Sequence, residues 1–260
     1  MSIVACVKVY DGMALGAESM SQILGKQPGG QSQFMKAYSN ARKLFEIKGA
    51  PFGVLAYGAG NIGNRSIESF LYEFSGMHDF AADTGEQIAH KLLQFMRAPY
   101  DSAFGQSPDP QKPVLGFYLA GYSPEQHLGT EWEFVFPQDL KPRQPRPDNQ
   151  CGASWRGIAI PFIRQYNGID PRFFGMLQAH GVANDVIAKV QAAAQQLVSP
   201  IVLDGMPLQD AIGYCKYILD TTIGAATYEA GVPTCGGPLQ IAIITRGDGF
   251  KWVSRPAYSI

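Results

Sequence analysis

Cysteine is scarce, and neither sign of charge prevails. The chain holds four cysteines in 260 residues: Cys6, Cys151, Cys215 and Cys235. None forms a C-x-x-C pair, so a paired-cysteine metal or redox motif is absent. Cys6 lies in an apolar strand pattern and reads as a buried free thiol. The set suits a reducing, cytoplasmic setting. Charged residues make up only 17% of the chain, and 21 basic against 22 acidic side chains leave a net charge of −1. That balance gives no nucleic-acid footprint. Long apolar runs are also missing. The stretch at 113–121 is too short to span a membrane, and no basic region with a following apolar run marks a signal peptide. No tandem repeat occurs. No G-x-x-x-x-G-K-[ST] occurs, and no G-x-G-x-x-G follows a first strand. GAGNIG at 58–63 is the nearest lookalike. It comes after the second hairpin, and no ribose-binding acid ends a following parallel strand. No cofactor and no metal are expected.

What is present is a globular composition, 46% hydrophobic. The length allows one sizeable core or two small domains. A near-neutral surface gives little colloidal repulsion, which suits apolar surface shared with a partner. SIVACVKVY (2–10) reads as a strand, Asp11-Gly12 as a hairpin turn, and 13–19 as the returning strand. Residues 22–41, rich in Gln, Gly and Ser, read as a loop. KLFEIK (43–48) and FGVLAYG (52–58) form a second strand pair around Gly49. Helical spacing then takes over from Ile62 to Phe74 and from Phe80 to Met96, where Pro99 is expected to stop it. Strands return at 113–120 and 130–136. CGASWRGIAIPFIRQY enters another helical region. Residues 182–197 and 207–228 are helical, the latter with a Pro start. LQIAIITR and FKWVS close the chain around Gly-Asp-Gly. Two hairpins before the first helix do not suit a Rossmann unit. Antiparallel sheets against a helical layer fit better.

Met1 precedes Ser2. Removal of Met1 would leave a serine with both a hydroxyl and a free α-amine, whose reference pKa is roughly 7.7–8.0. Such an amine can take the hydroxyl proton and return it to a leaving group. Alone, serine at this position is commonplace.

SIVACVKVYDGMALGAES resembles the N-terminal hairpin of proteasome β-type subunits and their bacterial relatives, the Ntn hydrolases. The register puts Asp11-Gly12 on the family turn and Glu18-Ser19 on its Asp-Ser pair. RKLFEI resembles the segment carrying the active-site lysine, so Lys43 inherits that role. FGVLAYGAG resembles the following strand and glycine-rich turn, with the oxyanion N–H on Tyr57 and Gly58 next. TYEAG, CGG and LQIAIITRGDGFKWV resemble the end of the last helix and the closing hairpin. The likeness covers 2–136, and 205–255 more loosely. It implies an α+β fold: a four-layer αββα sandwich, proteasome-subunit-like, over residues 1–260 as a single domain. A helical insertion is expected at 165–205.

The implied chemistry is amide-bond hydrolysis through an acyl-enzyme. Ser2 is the nucleophile, Lys43 its electrostatic activator, and Glu18 holds that lysine. A backbone N–H at Tyr57 or Gly58 stabilises the oxyanion. Ser154 stands for the family serine before the third helix. Phe45 and Leu55, with Ala41 and Ala59, would favour an apolar residue at the cleavage site. Read without the resemblance, Lys43 is equally a solvated strand lysine and Glu18 an edge carboxylate.

Several positions depart from the family pattern. Serine replaces threonine, glutamate replaces aspartate at 18, and Met20 stands where many members have arginine. The segment before Lys43 is longer. Val232 occupies the place of an acid three residues before Cys235, and Glu229 is its substitute. Two readings follow. One is an N-terminal serine peptidase or amidase acting on peptides or proteins in a homo-oligomeric ring, with any ATPase partner open. The other is a catalytically silent ring subunit or scaffold.

Overall fold

The computed structural model describes residues 2–26, 32–124 and 126–256. β1 (Ile3–Val9) turns through Tyr10 and Asp11 into β2 (Gly12–Ala17). A separate ribbon follows, β3 (Ser21–Lys26) with β4 (Ser32–Tyr38). β5 (Leu44–Ile47) and β6 (Phe52–Gly58) begin the second sheet. The miniature pair β7 (Asn61–Ile62) and β8 (Arg65–Ser66) leads to α1 (Ile67–Met77) and α2 (Gly85–Phe104). Then come β9 (Leu115–Gly121), β10 (Thr130–Phe136) and β11 (Gly152–Gly157). Four helices follow: α3 (Ile160–Asn167), α4 (Arg172–Ala179), α5 (Asn184–Ala194) and α6 (Leu208–Tyr228). β12 (Gln240–Thr245) and β13 (Gly249–Ser254) end the fold.

One antiparallel sheet runs β11-β1-β2-β12-β13 and the other β10-β9-β6-β5. Three apolar layers show how they stack. Ile3, Ala5, Val7 and Val9 of β1 pack against α6 residues Ala211, Cys215, Ile218 and Leu219. The alternate side chains, Val4 and Cys6, face Leu55, Tyr57, Tyr118 and Ala120 of the other sheet. On that sheet Phe52, Val54, Phe117 and Leu119 turn outward onto Ile88, Leu92 and Met96 of α2. Every inner strand is thus covered on both faces, which is why β1, β2, β6 and β9 read as continuous apolar runs. The order helix, sheet, sheet, helix is the expected αββα sandwich. Gly16 lets α6 approach: a Cβ there would meet Cys215 Sγ and Leu219 Cδ1 at 2.8 Å.

Four expectations are corrected. Within 22–41, where a loop was expected, the described residues 22–26 and 32–38 belong to the β3–β4 ribbon. Helix α1 starts at Ile67, where Ser66 caps it by accepting from Ser69 N at 3.2 Å; Ile62 belongs to the miniature strand pair. Pro99 does not end α2, which continues to Phe104. Packing outweighs the lost N–H bond: buried Tyr100 stacks on Phe136 at 4.9 Å and donates to Pro113 O at 2.6 Å. Finally, 152–157 is an edge strand pairing with β1, and the helix begins only at Ile160.

Candidate functional site

Where β2 ends, the chain leaves the sheet at Glu18. This carboxylate is 0% exposed. A buried charge needs partners, and Glu18 has three. Lys43 Nζ donates to Oε1, Met20 N donates to Oε2 at 2.7 Å, and Gly236 N donates to Oε2 at 3.1 Å. Lys43 also donates to Met20 O. Burial lowers the Lys43 pKa, and the Glu18 charge opposes that fall. Ser19 adds to the knot: its hydroxyl donates to Ser39 O and Pro238 O, each at 2.7 Å.

A residue the sequence reading missed holds Lys43 from behind. Gln240, 2% exposed at the start of β12, accepts from Lys43 N at 3.0 Å and Leu44 N at 3.1 Å. Its amide donates to Ala41 O at 2.8 Å. No sequence signal marks Gln240, because it acts through the backbone of a strand in the other sheet.

Ser2 precedes β1 and is 4% exposed. Its carbonyl accepts from Ile158 N at 2.7 Å, but no hydrogen bond joins its hydroxyl to Lys43 among the described residues. Ser2 and Lys43 line a cleft of about 240 Å³ with Met20, Tyr57, Gly58 and Ala59. The ribbon base at Ser21–Ile23 and the start of α1 complete its walls. Ala56 N donates to Lys43 O at 2.8 Å. By strand alternation Gly58 turns its N–H to that same side, whereas Tyr57 turns its N–H toward β9. Gly58 has φ +91°, and a Cβ there would meet Val114 O at 2.2 Å, so only glycine fits. The Tyr57 ring packs between the sheets, where burial and nearby Glu133 push its hydroxyl up to about 12.

The structure thus brings Ser2, Glu18, Lys43, Tyr57 and Gly58 together. Ser154 and Glu229 lie elsewhere. Ser154 pairs with Cys6, four positions from Ser2, or about 13 Å by strand rise. It accepts from Arg146 in a charged cluster between the sheets, where Arg146 also donates to Glu131 at 2.5 Å. Glu229 caps the end of α6 and is exposed. Val232 is 45% exposed. Cys235 is buried and its thiol, raised to about 11 mainly by burial, donates toward Thr222 O at 3.8 Å. The expected apolar subsite is also corrected. Phe45 packs toward the helices and Leu55 between the sheets, while Ala41 and Ala59 do line the cleft. Met1, whose removal the nucleophile chemistry requires, lies outside the described residues. Among the described residues no group of three or more His, Cys, Asp or Glu side chains stands together as metal ligands.

This two-sheet, two-helix-layer frame, with the N-terminal strand leading from an acid–lysine cleft, is the proteasome-subunit-like Ntn-hydrolase fold. Within that class the chain is similar to Anbu. An Anbu (Gly-1) mutant from Hyphomicrobium sp. strain MC1 matches at 13% identity and TM-score 0.58, over 98% of this chain and 86% of that one. Anbu from Yersinia bercovieri, described as an ancestral β-subunit, matches at 12% and 0.53, over 98% and 88%. A helical assembly of the Anbu complex from Pseudomonas aeruginosa matches at 13% and 0.56, also over 98% and 88%. No family model and no curated protein matches. These findings correct the expectation of an N-terminal serine peptidase or amidase. The matches reported are to Anbu structures, none of them described as a peptidase or amidase. The wiring agrees: Glu18 and Lys43 are engaged by each other and by backbone groups, and the substitute acid Glu229 points to solvent. No helix among the described residues is long and apolar enough to cross a membrane.

Proposed function

We propose that this chain is a catalytically silent, proteasome-like subunit that assembles with copies of itself in the cytoplasm. We take residues 1–260 as one domain, with 165–205 as an inserted helical segment. Ser2, Glu18, Lys43, Tyr57 and Gly58 form a tied cleft, with the tie serving architecture rather than bond cleavage. One observation carries this reading. The Glu18–Lys43 pair joins the end of β2, the start of β5 and the 235–237 turn: Glu18 accepts from Met20 N and Gly236 N, and Lys43 donates to Glu18 and Met20 O. A base or activator for the hydroxyl would need its nitrogen directed to Ser2. Self-assembly draws support from the likeness to Anbu, one structure of which is a helical assembly. A head-to-tail contact between copies closes into a ring or runs on as a helix.

The test is sedimentation velocity and electron microscopy of the full chain and its Ser2→Ala variant, with fluorogenic peptide amides assayed alongside. Equal assembly by both, with no cleavage, is expected. A monomer at every concentration, or peptide cleavage lost in Ser2→Ala, would overturn the proposal.

A further inference from the structure

Helix α4 contributes no residue to the tied cleft, and its packing is anomalous. Its eight residues, RFFGMLQA, include none that is buried. An isolated helix so short is unstable in water, so packing must supply its stability. At about 100° per residue, Phe173, Phe174, Met176 and Leu177 fall within an arc of about 160°. One side of that arc is used within the chain: Phe174 and Leu177 are half-buried. The other side is not, since Phe173 is 39% and Met176 59% exposed.

A socket adjoins these knobs. A cavity of about 260 Å³ is lined by Ile169, Pro171, Phe174, Ala194 and Val198, with the amides of Asn167, Gln191 and Gln195 on its polar side. Leu197, 58% exposed, stands beside it on the turn after α5. Knob and socket therefore belong to one small helical unit. A surface holding both can pair with its own copy across a two-fold axis, the knobs of each entering the socket of the other. Charge favours the same occupant. Asp170 pairs with Arg164 at 3.3 Å and Arg172 at 2.7 Å, and Asp185 faces Lys189 at 3.8 Å. The rim thus carries both signs, three cations against two anions. A surplus of one falls short of the cationic cluster that an anionic lipid surface or nucleic acid requires. The rim also presents no like-charge barrier to a second identical face.

We infer that the α4–α5 unit is a two-fold docking surface for a second copy of this chain, with Phe173 and Met176 of each copy entering the socket of the other. The inference rests on the self-assembly proposed above and adds to it a second contact, which joins copies two by two beside the head-to-tail one. Membrane binding through the same residues is the competing outcome.

The experiment is concentration-dependent sedimentation velocity of the full chain and of Phe173→Glu/Met176→Glu. Circular dichroism melts check the fold, and hydrogen exchange follows the amides of 172–179. The wild type should assemble. The double variant should weaken the contact about 100-fold, as loss of a central apolar anchor pair does. At concentrations where the wild type is a monomer, its melt should match the wild type's, since neither side chain is buried in the monomer. In the wild type, exchange at 172–179 should slow as concentration rises. An assembling wild type with an equally assembling variant, and no change in exchange, would overturn this surface while leaving self-assembly intact. A wild type that is monomeric throughout would remove both. Slowed exchange only on anionic lipid vesicles would overturn the two-copy assignment in favour of the membrane.

Discussion

The Glu18–Lys43 tie predicts that Lys43→Met destabilises the chain, whereas Ser2→Ala does not. Methionine keeps the length and apolar stem of lysine but removes the charge. Glu18 then stays 0% exposed with the N–H groups of Met20 and Gly236 on Oε2 and nothing on Oε1. Removing one partner of a buried ion pair costs about 3–5 kcal/mol. Two surviving backbone donors put this case at the lower end, about 3 kcal/mol. At this chain length that is about 6–12 °C in Tm. Glu18→Gln on the Lys43→Met background should restore part of the loss. A neutral amide still accepts from the two backbone N–H groups, and it can donate to Met20 O, which lost its lysine. The double-mutant coupling should be about 1–3 kcal/mol. Ser2→Ala should stay within about 0.5 kcal/mol, because its hydroxyl has no protein partner among the described residues. Urea unfolding followed by tryptophan fluorescence measures all four. Additive single effects, or a Lys43→Met loss below about 0.5 kcal/mol, would refute the tie.

The remaining predictions follow from other contacts. Gln240→Leu removes three hydrogen bonds to 41–44 and should cost about 2–3 kcal/mol in the same unfolding assay. Gly58→Ala places a Cβ 2.2 Å from Val114 O at φ +91°, so expression should be lost or Tm should fall sharply. Cys215, held up to about 12 by burial against an ordinary 9.0, keeps its proton in the folded state while the unfolded thiol ionises. The folded state then binds more protons, so the stability of the wild type relative to Cys215→Ala should drop by about 1.4 kcal/mol from about pH 8 to about pH 10. Finally, all four cysteines are free, yet Cys6, Cys215 and Cys235 are buried. A native thiol titration should therefore find Cys151 alone, and all four only after denaturation.

The parts of the fold that were legible in the sequence are those whose physics is local. The Asp11-Gly12 turn, the apolar runs of β1, β2 and β6, and the helical stripes of α1, α2 and α6 carry their own periodicity. The meeting of Glu18 with Lys43 was legible through the family resemblance. The β3–β4 ribbon was not. It lies outside both sheets, Phe34, Met35 and Tyr38 are exposed, and the described side chains of the ribbon show no alternation of buried and exposed positions. Pro99 misled because a breaker rule ignores Tyr100, which is held by Phe136 and Pro113. Ser154 and Glu229 were assigned by motif order alone, and no local pattern ties either side chain to the cleft. The edge strand 152–157 carries Trp155 and Arg156 between small residues, a pattern that resembles a helix entry when its partner β1 is unseen.

The glutamate at position 18 also accounts for the loop it touches. An aspartate is shorter by one methylene, and its carboxylate would sit nearer the β2 backbone. With glutamate, the same group reaches Lys43 on one oxygen and spans from Met20 to Gly236 on the other. The 229–239 segment is rich in glycine and proline, with φ +109° at Gly231, +157° at Gly236 and +77° at Gly237. Such a backbone has high entropy when unfolded and little side-chain packing of its own. It carries no acid to anchor itself, since Val232 and Glu229 both face solvent. Glu18 supplies the anchor from the opposite strand, and Gln22 adds another by donating to Pro233 O at 2.6 Å. The loop without a buried acid of its own and the glutamate at position 18 are thus two halves of one arrangement, in which the buried carboxylate holds the turn through Gly236 N.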